Sequence, residues 1–392
     1  MISIEEAKNK VKENTQPHLN KVKKSIHNSG GLTLAETIYS KIDMPPFRQS
    51  AMDGYALNLH DSLEYKLLGE IKAGDEAAPK LKSGEAVRIF TGAPVPDSAN
   101  AVMMQEKVQK EKNIIKLTES ISQGTNIRPQ GEQVKKGAIA LEKGTLLTPA
   151  AIGFLSSLGI TEVSVYDRPK IAIITTGNEL VSPQEPLTYG KIYESNSTML
   201  TEALKALGYD DVSVFKVEDD YEKTKTLLDT AVSNNDLVII TGGISVGDYD
   251  FVGKALHEIQ VKEIFYKVKQ KPGKPLFFGM RNNTRVFALP GNPAASLTCF
   301  YIYVYIALQN MMGRTPVELN RVQAKLSKVF VKKGDRPQFL KAIFYEGKVE
   351  ILEGQNSSML HTFALANALV FADEATTNIQ PGNTLETILL PI

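Results

Sequence analysis

The stretch Leu237-Val-Ile-Ile-Thr-Gly-Gly-Ile-Ser-Val-Gly-Asp-Tyr-Asp250 sets the architecture of the chain. Leu237 to Ile240 is a short, unbroken apolar run of the kind that forms a buried strand. It passes directly into a glycine turn, Thr241-Gly242-Gly243-Ile244-Ser245, and then into the carboxylates Asp248 and Asp250. Three more apolar runs lie around it, Ile171 to Ile174, Val212 to Val217 and Val286 to Leu289. Helical stretches alternate with them, over Thr198 to Leu207, Tyr221 to Val232, Phe251 to Ile259 and Pro293 to Met312. This alternation predicts a parallel, doubly wound α/β sheet with helices on both faces.

Three of these strands end in polar turns that contain glycine: Thr175-Thr176-Gly177-Asn178-Glu179, Thr241 to Ser245, and Pro290-Gly291-Asn292-Pro293. The carboxyl ends of strands line the crevice of an open parallel sheet, and glycine lets backbone amides approach an anion at a helix N-terminus. One such turn is ordinary turn geometry; three in one sheet point to a phosphate-bearing ligand. None has Walker or G-x-G-x-x-G spacing, which disfavours a P-loop NTPase or a dinucleotide dehydrogenase. Asp248 and Asp250 follow the second turn, and Glu218-Asp219-Asp220 lies beyond the preceding strand. Carboxylates facing a phosphate need a cation between them, and Mg²⁺ on oxygen ligands is the usual one. The plainer reading of any one of these aspartates is a helix cap. Downstream, Lys267, Lys269, Lys271 and Lys274 crowd a segment stiffened by Pro272, Gly273 and Pro275, and rigid positive charge suits a tetrahedral oxyanion.

Outside this region the pattern changes. Ile4 to Leu34 reads as mostly helical, and Pro45-Pro46 closes it. Short apolar runs cut by glycine and proline then suggest an all-β insertion, and Thr148 to Leu158 has helical spacing before the β-rich Val163 to Tyr166. After Pro316 the runs alternate, as in Val322, Ala324, Leu326 and in Leu385, Thr387, Leu389. The expected division is a linking domain at 1–46 plus 139–168, an inserted β-rich domain at 47–138, an α/β domain at 169–315 and a C-terminal β domain at 316–392.

Lys and Arg total 45 against 44 Asp and Glu, so no global field favours nucleic acid or anionic lipid, and any anion site is local. The single cysteine, Cys299, sits in an apolar run and reads as core packing. The N-terminus lacks the apolar stretch of a secretory signal, and Ser296 to Met312 is too short to span a bilayer, so a cytoplasmic protein with no membrane or nucleic-acid partner is expected. Scattered histidines and the absence of Cys-x-x-Cys argue against zinc.

An ordered set of motifs resembles one family. It comprises Pro45-Pro-Phe-Arg-Gln-Ser-Ala-Met-Asp-Gly-Tyr-Ala56, Arg88-Ile-Phe-Thr-Gly-Ala93, Thr176-Gly-Asn-Glu-Leu180, Gly242-Gly-Ile-Ser-Val-Gly-Asp248, Lys271-Pro-Gly-Lys-Pro275 and Leu289-Pro-Gly-Asn-Pro293. Together, over essentially the whole chain, they look like the molybdopterin molybdotransferases, MoeA in bacteria and the E domain of gephyrin in animals. The resemblance implies a central molybdopterin-binding α/β domain, an inserted β domain, a small helical linking domain and a C-terminal β-barrel-like domain. It implies a reaction in which adenylylated molybdopterin is hydrolysed with release of AMP while molybdenum from molybdate enters the dithiolene, aided by Mg²⁺. It also implies a homodimer with a composite site, and a molybdopterin adenylyltransferase as the upstream partner.

Residue by residue, the resemblance assigns catalytic roles to Asp53, Thr91, Glu179, Asp219, Asp250, Lys267 and Lys271, with Asp219 and Asp250 as the metal pair. Substrate binding falls to Thr176, Gly177, Gly242, Gly243, Ser245, Asp248, Lys274, Pro290, Gly291, Asn292, Arg336 and Ser357. Two positions depart from the family pattern: Gln133 stands where an aspartate is common, and Ala295 where a serine is. Ser296 is offset by one residue and points elsewhere on the helix, so oxyanion contacts at that turn are expected from backbone amides alone. Two other readings are an interaction scaffold, as in the gephyrin E domain, and a nicotinamide-nucleotide processing enzyme that shares the Thr-Gly-Gly turn. The retained Asp219, Asp250, Lys271 and Lys274 speak against the first, and Ser50-Ala-Met-Asp-Gly-Tyr55 together with the C-terminal β-domain against the second.

Overall fold

A computed structural model describes residues 1–17, 21–75, 79–244 and 251–392. The chain forms two compact units, one of Met1–Val22, Gly31–Ala35 and Val165–Ile392, the other of Lys23–Gly30 and Glu36–Ser164.

The first unit is built on a six-stranded sheet of β1 (Ile171–Thr176), β2 (Val212–Val217), β3 (Leu237–Thr241), β4 (Lys262–Tyr266), β5 (Phe277–Arg281) and β6 (Thr284–Leu289), in the spatial order β2-β1-β3-β6-β5-β4. The first four in that order are parallel, with Ile173 opposite Ile239 and Ile239 opposite Phe287. The expectation of a wholly parallel sheet is corrected at one edge, where β5 and β4 run antiparallel. Both escaped the apolar-run criterion because β4 opens on Lys262-Glu263 and β5 carries Gly279 and Arg281. Antiparallel strands also need no crossover helix to announce them.

Side chains alternate across the strands. Ala172, Ile174, Val238, Ile240, Val286 and Ala288 pack in one core with helices α2 (Tyr221–Asn234) and α3 (Phe251–Glu258). On the other face Phe287 stacks on Phe278 at 4.5 Å, and Phe265 contacts Phe278 and Tyr303. Tyr303 belongs to the long helix that starts with α4 (Pro293–Cys299), widens into a π turn at Phe300–Val304 and ends as α5 (Tyr305–Met311). With helix α1 (Asn196–Ala206) against β1 and α4, the sheet is doubly wound. Cys299 is wholly buried, as its apolar surroundings predicted.

The C-terminal segment closes a five-stranded barrel of β7 (Arg321–Leu326), β8 (Gln338–Tyr345), β9 (Lys348–Ile351), β10 (Ala368–Ala372) and β11 (Thr384–Leu389), in the order β7-β9-β8-β10-β11. Ala324 and Leu326 point into its core while Arg321, Gln323 and Lys325 face out, the alternation anticipated from the sequence. A short helix at Leu360–Leu365 interrupts the β pattern.

The helical reading of Ile4 to Leu34 is also corrected: the helix spans only Ile4–Asn14, followed by a strand at Lys21–Ser25 and a 3₁₀ turn at Ile26–Asn28. Ser3 caps its start by accepting from the Glu6 amide. It stops because Pro17 forces Gln16 out of the helical region, and the Thr15 hydroxyl donates back to the Val11 carbonyl. The helix is tied to the barrel through Glu318, whose carboxylate receives Lys8 at 3.0 Å, Lys12 at 2.5 Å and Arg321 at 2.9 Å. Burial opposes ionisation of Glu318, but the bonds from Lys12 and Lys8 and the charges of Lys8 and Arg321 outweigh it and hold the carboxyl down at about 2. A depressed carboxyl stabilises the fold above its unfolded value and loses that contribution as pH falls through the folded one. Glu318→Gln should therefore cost about 3 kcal/mol near neutrality. In denaturation at graded pH the gap to wild type should shrink from pH 4.5 to 2.

The second unit carries a six-stranded mixed sheet in the order Ala101–Met104, Gly54–Leu57, Glu85–Ile89, Glu64–Ile71, Ile114–Leu117 and Val108–Glu111, with apolar cores centred on Val87 and Ile89 and on Leu57 and Ile115. Among the described residues no helix is long and apolar enough to cross a membrane.

Candidate functional site

The three glycine turns meet at the carboxyl ends of β1, β3 and β6. Gly242 has φ +89°, and a Cβ there would lie 2.4 Å from the Thr176 carbonyl oxygen. A Cβ on Gly243 would fall 2.7 Å from the Thr176 methyl, and one on Gly291 would be 3.6 Å from the Gly242 Cα. The first turn thus leans on the second, an approach that a side chain at Gly242 or Gly243 would block, and the second lies in van der Waals reach of the third. Asn196, at the start of α1, bridges them: its Nδ2 donates to Thr241 Oγ1 at 2.7 Å and to the Gly291 carbonyl at 2.8 Å. The Pro290 carbonyl lies 3.5 Å from Thr241 Oγ1.

The acidic run beyond β2 divides three ways. Glu218 pairs with Lys223 at 2.9 Å, and Asp220 caps α2 by accepting from the Lys223 amide. Asp219 turns to the first turn: one oxygen accepts from Thr176 Oγ1 at 2.9 Å and the other from the Asn178 amide at 3.2 Å, while the Asn178 side chain accepts from the Asp219 amide at 3.0 Å. Among the described residues each carboxylate oxygen of Asp219 accepts a single bond, and such oxygens are the donor type a hard divalent cation takes. The Glu179 carboxylate occupies the space a Cβ on Gly177 would need, 2.7 Å from Oε2. Ser245, Asp248 and Asp250 lie outside the described residues, and among the described ones no three His, Cys, Asp or Glu gather as a metal-binding group.

The basic segment joins the end of β4 to β5 and is fastened to the barrel. The Lys271 amide donates to the Pro337 carbonyl at 2.9 Å, the Phe339 amide donates to the Lys271 carbonyl at 3.0 Å, and Arg336 Nη1 donates to the Gln270 carbonyl at 3.0 Å. Lys271 lines a cleft of about 700 Å³ with Lys328, Lys333, Gln338 and Gly354 to Asn356. Lys274 is exposed, whereas Lys267 lies over the Tyr266 ring at 4.6 Å and Lys269 pairs with Glu374 at 2.9 Å. Ser357 is brought to the third turn: its hydroxyl accepts from Asn292 Nδ2 at 2.9 Å and its carbonyl from the Ala295 amide at 3.2 Å. The Ser296 amide donates to the Asn292 carbonyl. The Ala295 and Ser296 amides are thus both engaged within the protein. Ser296 itself is wholly buried.

Lys341 carried no sequence signal beyond being a charge in the run Phe339 to Phe344. It is 4% exposed, and its ammonium donates to the carbonyls of Gly354 at 2.7 Å, Met359 at 3.0 Å and Asn356 at 3.3 Å, the loop that bears Ser357. Burial pushes its pKa from 10.5 down to about 8. Between those two values the unfolded chain holds the proton and the fold does not, so wild type should gain stability over Lys341→Met as pH rises from 8 to 10.5. The neutral amine has two N–H donors for three carbonyls, so turnover should fall across the same range; parallel melting and rate profiles check both.

In the second unit, Asp53 and Thr91 form a pair. Asp53 Oδ1 accepts from the Thr91 amide and from its hydroxyl, both at 2.7 Å. Those two bonds, with a smaller contribution from the Arg88 charge, hold the carboxyl below its usual range. Arg88, unnoticed as a candidate, lies 5.0 Å from the Tyr55 ring and 5.1 Å from the Phe90 ring, donates to the Gly54 carbonyl at 3.1 Å, and bonds Gln105.

Known proteins resemble this chain over nearly its whole length. Residues 2–159 match the family described as MoeA N-terminal region (domain I and II), residues 172–310 the probable molybdopterin binding domain, and residues 323–390 the MoeA C-terminal region (domain IV). The molybdopterin molybdenumtransferase of Haemophilus influenzae is 33% identical over 396 residues, covering 98% of each chain. That of Staphylococcus epidermidis is 33% identical over 378 residues, covering 93% of this chain and 90% of its own. The crystal structure of the molybdopterin biosynthesis MoeA protein of Pyrococcus horikoshii OT3 superposes with a TM-score of 0.85 at 29% identity, over 99% of this chain and 100% of that one. With all three segments present in order and the likeness running nearly end to end, the chain belongs to the molybdopterin molybdenumtransferase family.

Proposed function

We propose that this chain transfers molybdenum from molybdate to molybdopterin presented in adenylylated form, with release of AMP. The observation that carries the reading is the meeting of the three glycine turns, with Asp219 bonded to the first of them and the barrel-anchored basic turn packed through Gly273 against the helix that follows the third. The turns Thr176-Gly177, Gly242-Gly243-Ile244-Ser245 and Pro290-Gly291-Asn292 would cradle the phosphate-bearing part of the substrate, together with Asp248. Lys267, Lys271, Lys274, Arg336 and Ser357 would take the oxyanion. Asp219 fits Mg²⁺ by its donor type and would hold it with Asp250; when bound, the ion screens the phosphate charge. No covalent intermediate is required, so the protein contributes orientation and electrostatic stabilisation. Asp53 and Thr91 would meet Glu179 across a homodimer, making the site composite, and the division into four domains set out from the sequence belongs to the same reading. The enzyme would work in the cytoplasm, downstream of a molybdopterin adenylyltransferase. Purified protein given adenylylated molybdopterin, molybdate and Mg²⁺ should release AMP; no release from folded protein would overturn the reading.

A further inference from the structure

We propose that Gln270 and Tyr303 form a buried pair that sets the shape of the Lys271–Lys274 turn, and through it the affinity for the incoming oxyanion. The proposal rests on the reading above, in which those lysines bind molybdate. Neither side chain reaches solvent: both are 0% exposed. A turn that folds back on itself directs carbonyls inward, and carbonyls shielded from water need donors. Gln270 Nε2 supplies them, to Pro272 O at 3.0 Å and Gly273 O at 3.2 Å, while its Oε1 accepts from the Tyr303 hydroxyl. A neutral side chain offering two donors and an acceptor at that reach is a glutamine.

Tyr303 projects from the π turn of the long helix, a widening that recurs at functional sites. Desolvation raises its pKa well above 10, so the hydroxyl remains a donor at working pH. The turn also closes hard on that helix, since a Cβ on Gly273 would lie 2.4 Å from Cys299 Sγ. Its outer side is fixed by the Lys271 bonds to Pro337 and Phe339. Held on both sides, the turn keeps Lys271 and Lys274 preorganised, and the entropy of ordering them is spent before the ligand arrives. Gln270 and Tyr303 are thus positioning residues that act through the lysines.

The test uses full-length Tyr303→Phe, Gln270→Met and the double variant, with two readouts. Amide hydrogen exchange should quicken over residues 267–276 and stay unchanged elsewhere. In AMP release, the molybdate KM should rise about tenfold for Gln270→Met with kcat within about twofold, and the double variant should match Gln270→Met because both groups act in one network. Unchanged exchange over 267–276, or a fall in kcat at constant KM, would overturn the proposal. If Gln270→Met does not fold, Tyr303→Phe, which deletes one buried oxygen, carries the same test. If wild type releases no AMP, the functional reading fails, and the exchange measurement still decides whether the pair shapes the turn.

Discussion

Gly242→Ala is expected to reduce AMP release by more than about 100-fold. The added Cβ would sit 2.4 Å from the carbonyl oxygen of Thr176, a backbone atom that has no rotamer to retreat into. The position also has φ +89°, which costs an L-residue about 1–2 kcal/mol before any clash. Relief requires the first and second turns to part. Thr176 holds Asp219 through its hydroxyl, and Gly291 packs against Gly242, so a shift at this one residue reaches all three turns. Displacements of about an ångström in a positioning site can cost a hundredfold in rate. Melting and kcat/KM should be measured together, because wild-type turnover from a protein of unchanged stability would remove the second turn from the site.

Asp219→Asn should lower kcat by about 10²–10³-fold while leaving the melting temperature nearly unchanged. An amide of the same shape can still accept one of the two bonds from Thr176 and Asn178, but it has no charge to offer a cation or a phosphate-bearing substrate. Its neighbour serves as the control. Asp220 caps α2, and asparagine caps a helix as well as aspartate does, so Asp220→Asn should be silent in both assays. Equal turnover in the two variants would reduce Asp219 to a strut for the first turn.

The contrast between these adjacent aspartates shows how much of the site was legible beforehand. From the sequence, Glu218-Asp219-Asp220 is one acidic cluster; the helix that begins at Tyr221 takes Asp220 as its cap and leaves Asp219 facing the first turn. The glycine turns were legible because they follow apolar strands directly, and a glycine after such a strand has few local alternatives. Asn196 was not, since a lone asparagine at the head of a helix carries no hint that its amide will bridge Thr241 and Gly291, 45 and 95 residues away. Strands β4 and β5 were missed for a related reason: their stability comes from pairing with each other and with β6, and their own composition shows little of it.

What the sequence determined by itself is therefore local: apolar runs long enough for buried strands, glycine turns directly after them, the alternation that lines the barrel, and a cysteine surrounded by apolar neighbours. Short-range sterics and hydrophobic periodicity decide these, and both are written in consecutive residues. Only the tertiary structure decided which polar groups meet: Ser357 with Asn292, Arg336 with the Gln270 carbonyl, Lys341 beneath its loop, Tyr303 with Gln270. Each of those side chains could satisfy its hydrogen bonds in many ways, and its partner is selected by how the barrel and the sheet pack. Polar chemistry is thus assigned last, by burial, once the apolar framework has excluded water and left each donor few acceptors within reach.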